Sequence, residues 1–248
     1  MIAVDLGKVS YDEGLYYQEV LHAARVEGRI EDVVLLLEHD PIITVGKSGG
    51  NGDLLVREEE LAERGIIIRH VNRGGKLTCH YPGQLVVYPI MNLNDQGQDV
   101  HGFVNNLEEI IICTLADFGV AGERIRKHRG VFVKDNKIAS IGIEVRSSTT
   151  MHGFSLNVFE DWSLYTLFVP CGIKDKGITF LESCCSDDEV DMKTVKKGVK
   201  HHFENIFSLV ISEIEFQPEC KPTRNLDRLI SAGHFNKSMS TVHYRNLL

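Results

Sequence analysis

Nowhere in the chain do two cysteines stand as a CxxC pair, and the six cysteines, at positions 79, 113, 171, 184, 185 and 220, follow no framework spacing. A disulfide scaffold and a zinc cluster are therefore unsupported, and the thiols are expected to be reduced and available. No apolar run approaches the ~18 residues of a membrane span. The opening Met1-Ile2-Ala3-Val4-Asp5-Leu6 lacks the basic and long apolar regions of a secretory signal, and it is not Arg- and Ser-rich like an organelle signal. The expected location is cytoplasmic, with no membrane partner. Positive charge is in deficit too: a formal net charge of −8 argues against nucleic acid as a partner, because phosphate neutralisation needs a basic face. No internal repeat and no low-complexity linker divides the 248 residues, so one mixed α/β domain is the simplest organisation.

What is present reads as alternating apolar runs and amphipathic segments. Residues 11–27 carry Leu15, Val20, Leu21 and Ala24 at helical spacing and stop at Gly28. Residues 33–38 and 42–45 are short β-branched runs joined by His39-Asp40-Pro41, which predicts two strands and a turn. A short helix over 57–63, strands over 66–71 and 85–90, and a longer helix over 100–118 ending at Gly119 follow by the same signals. Residues 131–143 read as a hairpin with Asp135-Asn136 as its turn. Period-two alternation then puts Lys137 at the head of the more apolar face, with Ala139, Ile141, Ile143 and Val145. A strand over 152–158, a charged helix over 190–209 and a strand over 210–216 complete the expectation. From Gln217 the chain turns polar and irregular, so 1–216 is predicted as the domain and 217–248 as a C-terminal extension.

Cys171 stands out chemically. In Phe168-Val169-Pro170-Cys171-Gly172-Ile173 a proline with fixed φ precedes the thiol and a permissive glycine follows it, the pattern of a presentation loop. A turn holding a small buried hydrophobe is the competing reading. The densest polar segment is Arg73-Gly74-Gly75-Lys76-Leu77-Thr78-Cys79-His80-Tyr81-Pro82-Gly83-Gln84. Its glycines match neither GxxxxGK[ST] nor GxGxxG, so nucleotide binding is not indicated. His80 is a candidate acid/base, but strand neighbours face opposite ways, which makes a dyad with Cys79 geometrically poor. Lys137 either faces a desolvated site or snorkels to water. The basic run Glu123-Arg124-Ile125-Arg126-Lys127-His128-Arg129, with a looser group at Arg69, His70, Arg73 and Lys76, is either a solvated surface or a docking patch for an acidic protein or a phosphate-bearing ligand.

Four motifs in order carry a family resemblance. Arg73-Gly74-Gly75-x-x-Thr78-x-His80-x-Pro82-Gly83-Gln84, then Gly130-Val131-Phe132-Val133 with Lys137-Ile138-Ala139-Ser140-Ile141-Gly142, then His152-Gly153-Phe154-Ser155-Leu156-Asn157, then Pro170-Cys171-Gly172-Ile173 resemble the lipoyl(octanoyl) transferases. The early His39-Asp40-Pro41-Ile42-Ile43-Thr44-Val45-Gly46 is similar as well, and the likeness runs to about residue 216. It implies the biotin/lipoate ligase-like fold, an α+β domain with a mixed sheet flanked by helices. It also implies transfer of an octanoyl group from octanoyl-acyl carrier protein to a lysine of lipoyl domains, in 2-oxoacid dehydrogenase complexes and the glycine cleavage H protein. A thioester donor already carries the activation, so no cofactor or metal is expected, and the expected state is a monomer. By position, Cys171 matches the acyl-accepting nucleophile and Lys137 the residue that activates it. The segments Arg73, Gly74, Gly75, Lys76, Leu77, Thr78, Cys79, His80, then Ser140, Ile141, Gly142, then Gly153, Phe154, Ser155 match the lining of the acyl pocket. Tyr81 stands where the family usually has glycine, which implies a narrower pocket mouth. The alternatives are an ATP-dependent lipoate or biotin protein ligase of the same fold and a non-catalytic module that binds lipoyl domains.

Overall fold

Ser10 starts the first helix by a capping box: its hydroxyl accepts from the Glu13 N–H at 3.2 Å and its own N–H donates to the Glu13 carboxylate at 3.0 Å. Local signals of this kind set the other boundaries in the computed structural model, which describes residues 1–49, 51–126, 128–168, 177–185 and 190–215. In chain order the elements are β1 (Ile2–Val9), α1 (Tyr11–Val26), β2 (Val33–His39), β3 (Ile42–Val45), α2 (Glu58–Glu63), β4 (Ile67–His70), β5 (Leu77–His80) and β6 (Gln84–Ile90). Then come α3 (Val100–Ala116), β7 (Glu123–Ile125), β8 (His128–Val133), β9 (Asn136–Arg146), β10 (Thr149–Asn157), β11 (Gly177–Ile178), α4 (Leu181–Cys184), α5 (Met192–Phe207) and β12 (Ser212–Glu215). The predicted extension 217–248 lies outside the described residues.

The main sheet runs β12-β1-β2-β6-β10-β9-β8-β7, with β11 attached to β9, and β4-β3-β5 form a smaller sheet. β1 pairs in parallel with β2 and β12, whereas β2, β6, β10, β9 and β8 are joined antiparallel, so the sheet is mixed. Its middle strands are apolar on both faces. Val34, Leu36, Leu85 and Val87 pack with Phe103, Leu107 and Ile111 of α3 and Val199 and Phe203 of α5. Val33, Leu35, Leu37, Val86 and Tyr88 alternate with them and pack with Tyr17, Leu21 and Ala24 of α1. A third core, including Ile43, Leu77, Cys79 and Tyr81, fills the back of the small sheet.

Three expectations need correction. β1 carried no strand prediction, because Asp5 and Gly7 break its apolar pattern, and the register indeed shifts between those residues. The hairpin turn is Lys134-Asp135: Val133 pairs with Asn136, and Lys134 takes a positive φ of 56°. The third concerns Lys137. Val131 pairs with Ala139 while the next residue, Phe132, pairs with Lys137, so β9 holds one extra residue at Ile138. That bulge puts Ile138 and Ala139 both into the α3-side core and turns Lys137 to the opposite face, away from the apolar one that simple alternation assigns.

Candidate active site

The Lys137 ammonium reaches its position past a gap in β8. Gly130 has a φ of +108°, and a Cβ there would lie 2.2 Å from the Ala139 carbonyl oxygen and 2.9 Å from the Lys137 Cε. Lys137 itself is 4 % exposed, with its Nζ 5.6 Å from the Phe132 ring centroid. Gly130→Ala is therefore expected to displace the lysine and destabilise the fold by about 1–3 kcal/mol, seen as a lower urea midpoint. An unchanged midpoint would contradict this packing.

Lys137 opens onto a cavity of about 270 Å³, close to the lower end of small-molecule pockets at about 300 Å³. Ser140 and Gly142 of β9 face it from opposite Ser155 and Gly153 of β10, their pairing partners. Glycine is required at 142 because the Arg73-Gly74-Gly75 loop crosses it, with the Gly74 N–H donating to the Ile143 carbonyl at 3.0 Å and a Cβ on Gly142 meeting the Gly74 oxygen at 2.8 Å. Ile141 and Phe154 also line the space, as do Gly75, Lys76, Thr78 and His80.

The floor is made of buried rings. Tyr11 at the start of α1 stacks on His80 with centroids 6.0 Å apart, His39 lies 5.5 Å from His80, and Tyr88 lies 6.4 Å from His152. Two backbone carbonyls dictate where the protons sit. The Val9 carbonyl can only accept, so His39 Nδ1 donates to it at 2.9 Å, leaving His39 Nε2 to accept from the Tyr88 hydroxyl at 2.8 Å. The Thr179 carbonyl accepts from Asn157 Nδ2 at 3.1 Å, Asn157 Oδ1 accepts from Gln84 Nε2 at 3.0 Å, and Gln84 Oε1 accepts from His80 Nδ1 at 2.8 Å. His80 Nε2 and the Tyr88 oxygen are thus both left as acceptors.

Burial keeps these imidazoles neutral. It pushes His39 from 6.5 down to about 4, and, with the Arg73 charge assisting, His152 from 6.5 to about 4. His80 falls well below the usual value through burial and then the neighbouring His39. Burial also lifts Tyr11 to about 12, against the pull of Arg73. The Arg73 guanidinium is fixed by donating to Thr44 Oγ1 from Nε at 3.1 Å and to the Thr44 carbonyl from Nη2 at 2.7 Å. Because the unfolded chain takes up protons near pH 6.5 and folded His39 and His152 near pH 4, stability is complete above pH 6.5 and falls as the pH drops toward 4. His39 and His152 each contribute about 3 kcal/mol to that loss. Urea midpoints between pH 7 and 5 are expected to decline steeply in the wild type and less so in His152→Gln; a flat profile would contradict neutral burial.

Of the residues assigned by resemblance, Arg73, Gly74, Gly75, Lys76, Thr78 and His80 line the cavity, as do Lys137, Ser140, Ile141, Gly142, Gly153, Phe154 and Ser155. Leu77 and Cys79 do not; strand alternation sends them into the core of the small sheet, both fully buried. Tyr81 shares that core, packed edge-on against Tyr165 at 5.9 Å, so it does not narrow the cavity. Cys171 falls outside the described residues. Tyr11, Ser48, Tyr88, His128, Arg129 and His152 also line the space and were not assigned. Only His152 and the basic run before Gly130 gave a sequence signal, since the others come from separate elements. The basic run is less open than its composition suggests: Arg124 clamps onto α3 through Glu108 at 3.0 Å and Glu109 at 2.7 Å. Lys127 lies outside the described residues. Among the described residues no group of three or more His, Cys, Asp or Glu is placed to hold a metal ion, and no helix is long and apolar enough to cross a membrane.

Comparison with known proteins places this architecture. Residues 10–204 match the family described as the lipoyl protein ligase A/B catalytic domain. The chain is 40% identical over 199 residues to the octanoyltransferase of Clostridium kluyveri, covering 80% of this chain and 84% of that protein. It is 42% identical over 204 residues to the octanoyltransferase of Caldicellulosiruptor bescii, covering 82% and 89%. In three dimensions it is similar to a lipoate-protein ligase A bound with ATP, with a TM-score of 0.73 at 14% identity over 93% and 94% of the two chains. A bipartite lipoate protein ligase from Thermoplasma acidophilum gives 0.71 at 14% identity over 93% and 92%. At such identities the structural likeness carries the fold alone, the biotin/lipoate ligase-like mixed sheet flanked by helices. Because the family match takes in every described residue of the cavity lining and the relatives agree over most of their length, this chain is an acyltransferase that belongs to the octanoyltransferases of the lipoyl protein ligase A/B catalytic-domain family.

Proposed function

We propose that this enzyme transfers an octanoyl group from octanoyl-acyl carrier protein to a specific lysine of lipoyl domains, those of 2-oxoacid dehydrogenase complexes and the glycine cleavage H protein, through a thioester on Cys171. The observation that carries the reading is the attachment of β11 to β9. Gly177 pairs with Asn136, Ile178 with Lys137, and the Thr179 N–H donates to the Lys137 carbonyl at 3.0 Å. Cys171 precedes Gly177 by six residues in the sequence, so the chain that follows the thiol is fastened to the residue whose ammonium faces the cavity.

The chemistry follows from that pairing of groups. An ammonium near a thiol favours the thiolate, which is only a few per cent populated at neutral pH when the thiol titrates near ~8.5. The Cys171 thiolate attacks the thioester carbonyl; the new carbon–sulfur bond forms as the bond to the pantetheine sulfur breaks, and that sulfur takes a proton from Lys137. The lysine amine of the lipoyl domain then attacks the acyl-enzyme, Lys137 accepts the amine proton, and the Cys171 thiolate leaves. Thioester and amine become amide and thiol. The thioester carries the activation, so the reading assigns no ATP and no metal. The acyl tail lies over Ser140, Gly142, Gly153 and Ser155, between Ile141 and Phe154 and the Arg73–His80 wall.

Incubating the enzyme with octanoyl-acyl carrier protein and an unmodified lipoyl domain, without nucleotide, is expected to octanoylate one lysine of that domain. Modification that requires free octanoate or lipoate together with ATP would replace this reading with the ligase alternative. Binding of the lipoyl domain with no modification under either condition would leave only the non-catalytic module.

A further inference from the structure

Charge along the cavity is segregated. Its described lining holds four cations, Arg73, Lys76, Arg129 and Lys137, and no carboxylate, in a chain whose formal net charge is −8. Two of the four have structural or proposed chemical roles: Arg73 is buried against Thr44, and Lys137 is buried at the bulge. The other two, Lys76 and Arg129, are exposed and line the same cavity as the exposed Ser48, whose N–H donates to the carbonyl of Gly75, next to Lys76, at 3.1 Å. Nearby cations are neutralised by close partners, Lys47 by Glu144 at 2.9 Å and Arg124 by Glu108 and Glu109. Lys76, by contrast, meets Asp53 only at 3.4 Å, and Arg129 has no carboxylate partner among the described residues. The rim therefore presents a guanidinium, an ammonium and a hydroxyl over a floor of neutral rings, an arrangement that favours a small anionic group at the entrance and a neutral one inside.

We infer that Ser48, Lys76 and Arg129 bind the phosphodiester of the phosphopantetheine arm of the acyl donor; this rests on the carrier-protein donor proposed above. The register supports the span. Phe132 pairs with Lys137, so Arg129 lies three residues along β8 from the level of Lys137, roughly 10 Å at strand rise. The arm from thioester sulfur to phosphorus contains about thirteen bonds and reaches on the order of 16 Å when extended. With the thioester at Lys137, the phosphate comes level with the rim and the acyl chain continues over the buried floor. An incoming lysine carries no such anion, so the rim distinguishes donor from acceptor.

The test compares octanoyl-phosphopantetheine with octanoyl-pantetheine as donors to the full-length enzyme, following acyl-enzyme formation by intact mass in single turnovers. The wild type is expected to prefer the phosphorylated donor by about 10- to 100-fold in acylation efficiency, as charge-assisted contacts to phosphate imply, with the preference shrinking as salt rises. Arg129→Gln is expected to bring that ratio toward one and Arg129→Lys to restore part of it; Lys76→Gln is expected to lower it independently. Equal acylation by both donors in the wild type, or an unchanged ratio in Arg129→Gln, would overturn the rim site while leaving the acyl-transfer reading in place. Failure of both small donors and of octanoyl-acyl carrier protein to form an acyl-enzyme would instead overturn the donor reading, and the rim site with it.

Discussion

Cys171→Ala and Cys171→Ser are expected to form no acyl-enzyme and to lose octanoyl transfer by a factor of roughly ten thousand or more, the scale on which removal of a covalent nucleophile acts. Serine is the more informative variant. It keeps the shape of the side chain but titrates far above any pH at which Lys137 can ionise it, so its failure separates nucleophilicity from packing. Cys113→Ala, Cys184→Ala and Cys185→Ala are expected to retain both adduct and transfer. Cys113 is held by burial and by Glu109 above the ordinary thiol range, while the Cys184 and Cys185 sulfurs lie against Thr179 at 3.4 Å and the Phe118 carbonyl at 3.9 Å. Loss of the adduct in any of these three would move the nucleophile.

Lys137→Met is expected to lower transfer by about 100- to 10,000-fold, the range of a positioned acid/base. It should also raise the Cys171 thiol toward ~8.5, slowing its alkylation at neutral pH. Methionine suits the site because the bulge leaves room for an unbranched chain beside Gly130 and Phe132. Lys137→Arg divides the two roles proposed for the ammonium. A guanidinium stays protonated, so part of the thiolate returns, but it cannot accept the proton of the incoming amine. Alkylation near the wild-type rate with little transfer is the expected pair of results. Wild-type transfer by Lys137→Arg would remove the proton-transfer role, and an unshifted thiol in Lys137→Met would remove the ion pair.

The parts of this molecule that were readable from sequence are those governed by local pattern. The apolar runs of β2 and β6, the helical spacing of α1 and α3 and the glycines beyond those helices gave elements within one or two residues of their positions. The motifs Arg73–His80, Lys137–Gly142 and His152–Ser155 were readable as chemistry because the resemblance covers them, and thirteen of their fifteen assigned residues, all but Leu77 and Cys79 of the set Arg73 to His80, Lys137, Ser140 to Gly142 and Gly153 to Ser155, meet at one cavity. Long-range geometry was not readable. The direction of Lys137 depends on where β9 gains a residue against β8, and nothing within 137–145 encodes that slip. Tyr11, Tyr88 and Ser48 join the site from three separate elements and carry no motif. Tyr81 looked like a pocket residue because it follows His80; its own side chain alternates to the other face and anchors the small sheet's core. Arg124 looked like surface charge until α3 supplied two carboxylates to meet it.

Passage of the octanoyl group through Cys171 is the step on which the proposed chemistry depends. Intact-mass spectrometry of the full-length enzyme mixed with octanoyl-acyl carrier protein, followed by peptide mapping, tests it in one measurement. The expected result is a single octanoyl increment, labile to hydroxylamine, on the peptide containing Pro170-Cys171-Gly172, which disappears when an unmodified lipoyl domain is added. An increment on any other residue, or transfer to the lipoyl domain with no enzyme-bound octanoyl at any time, would contradict it.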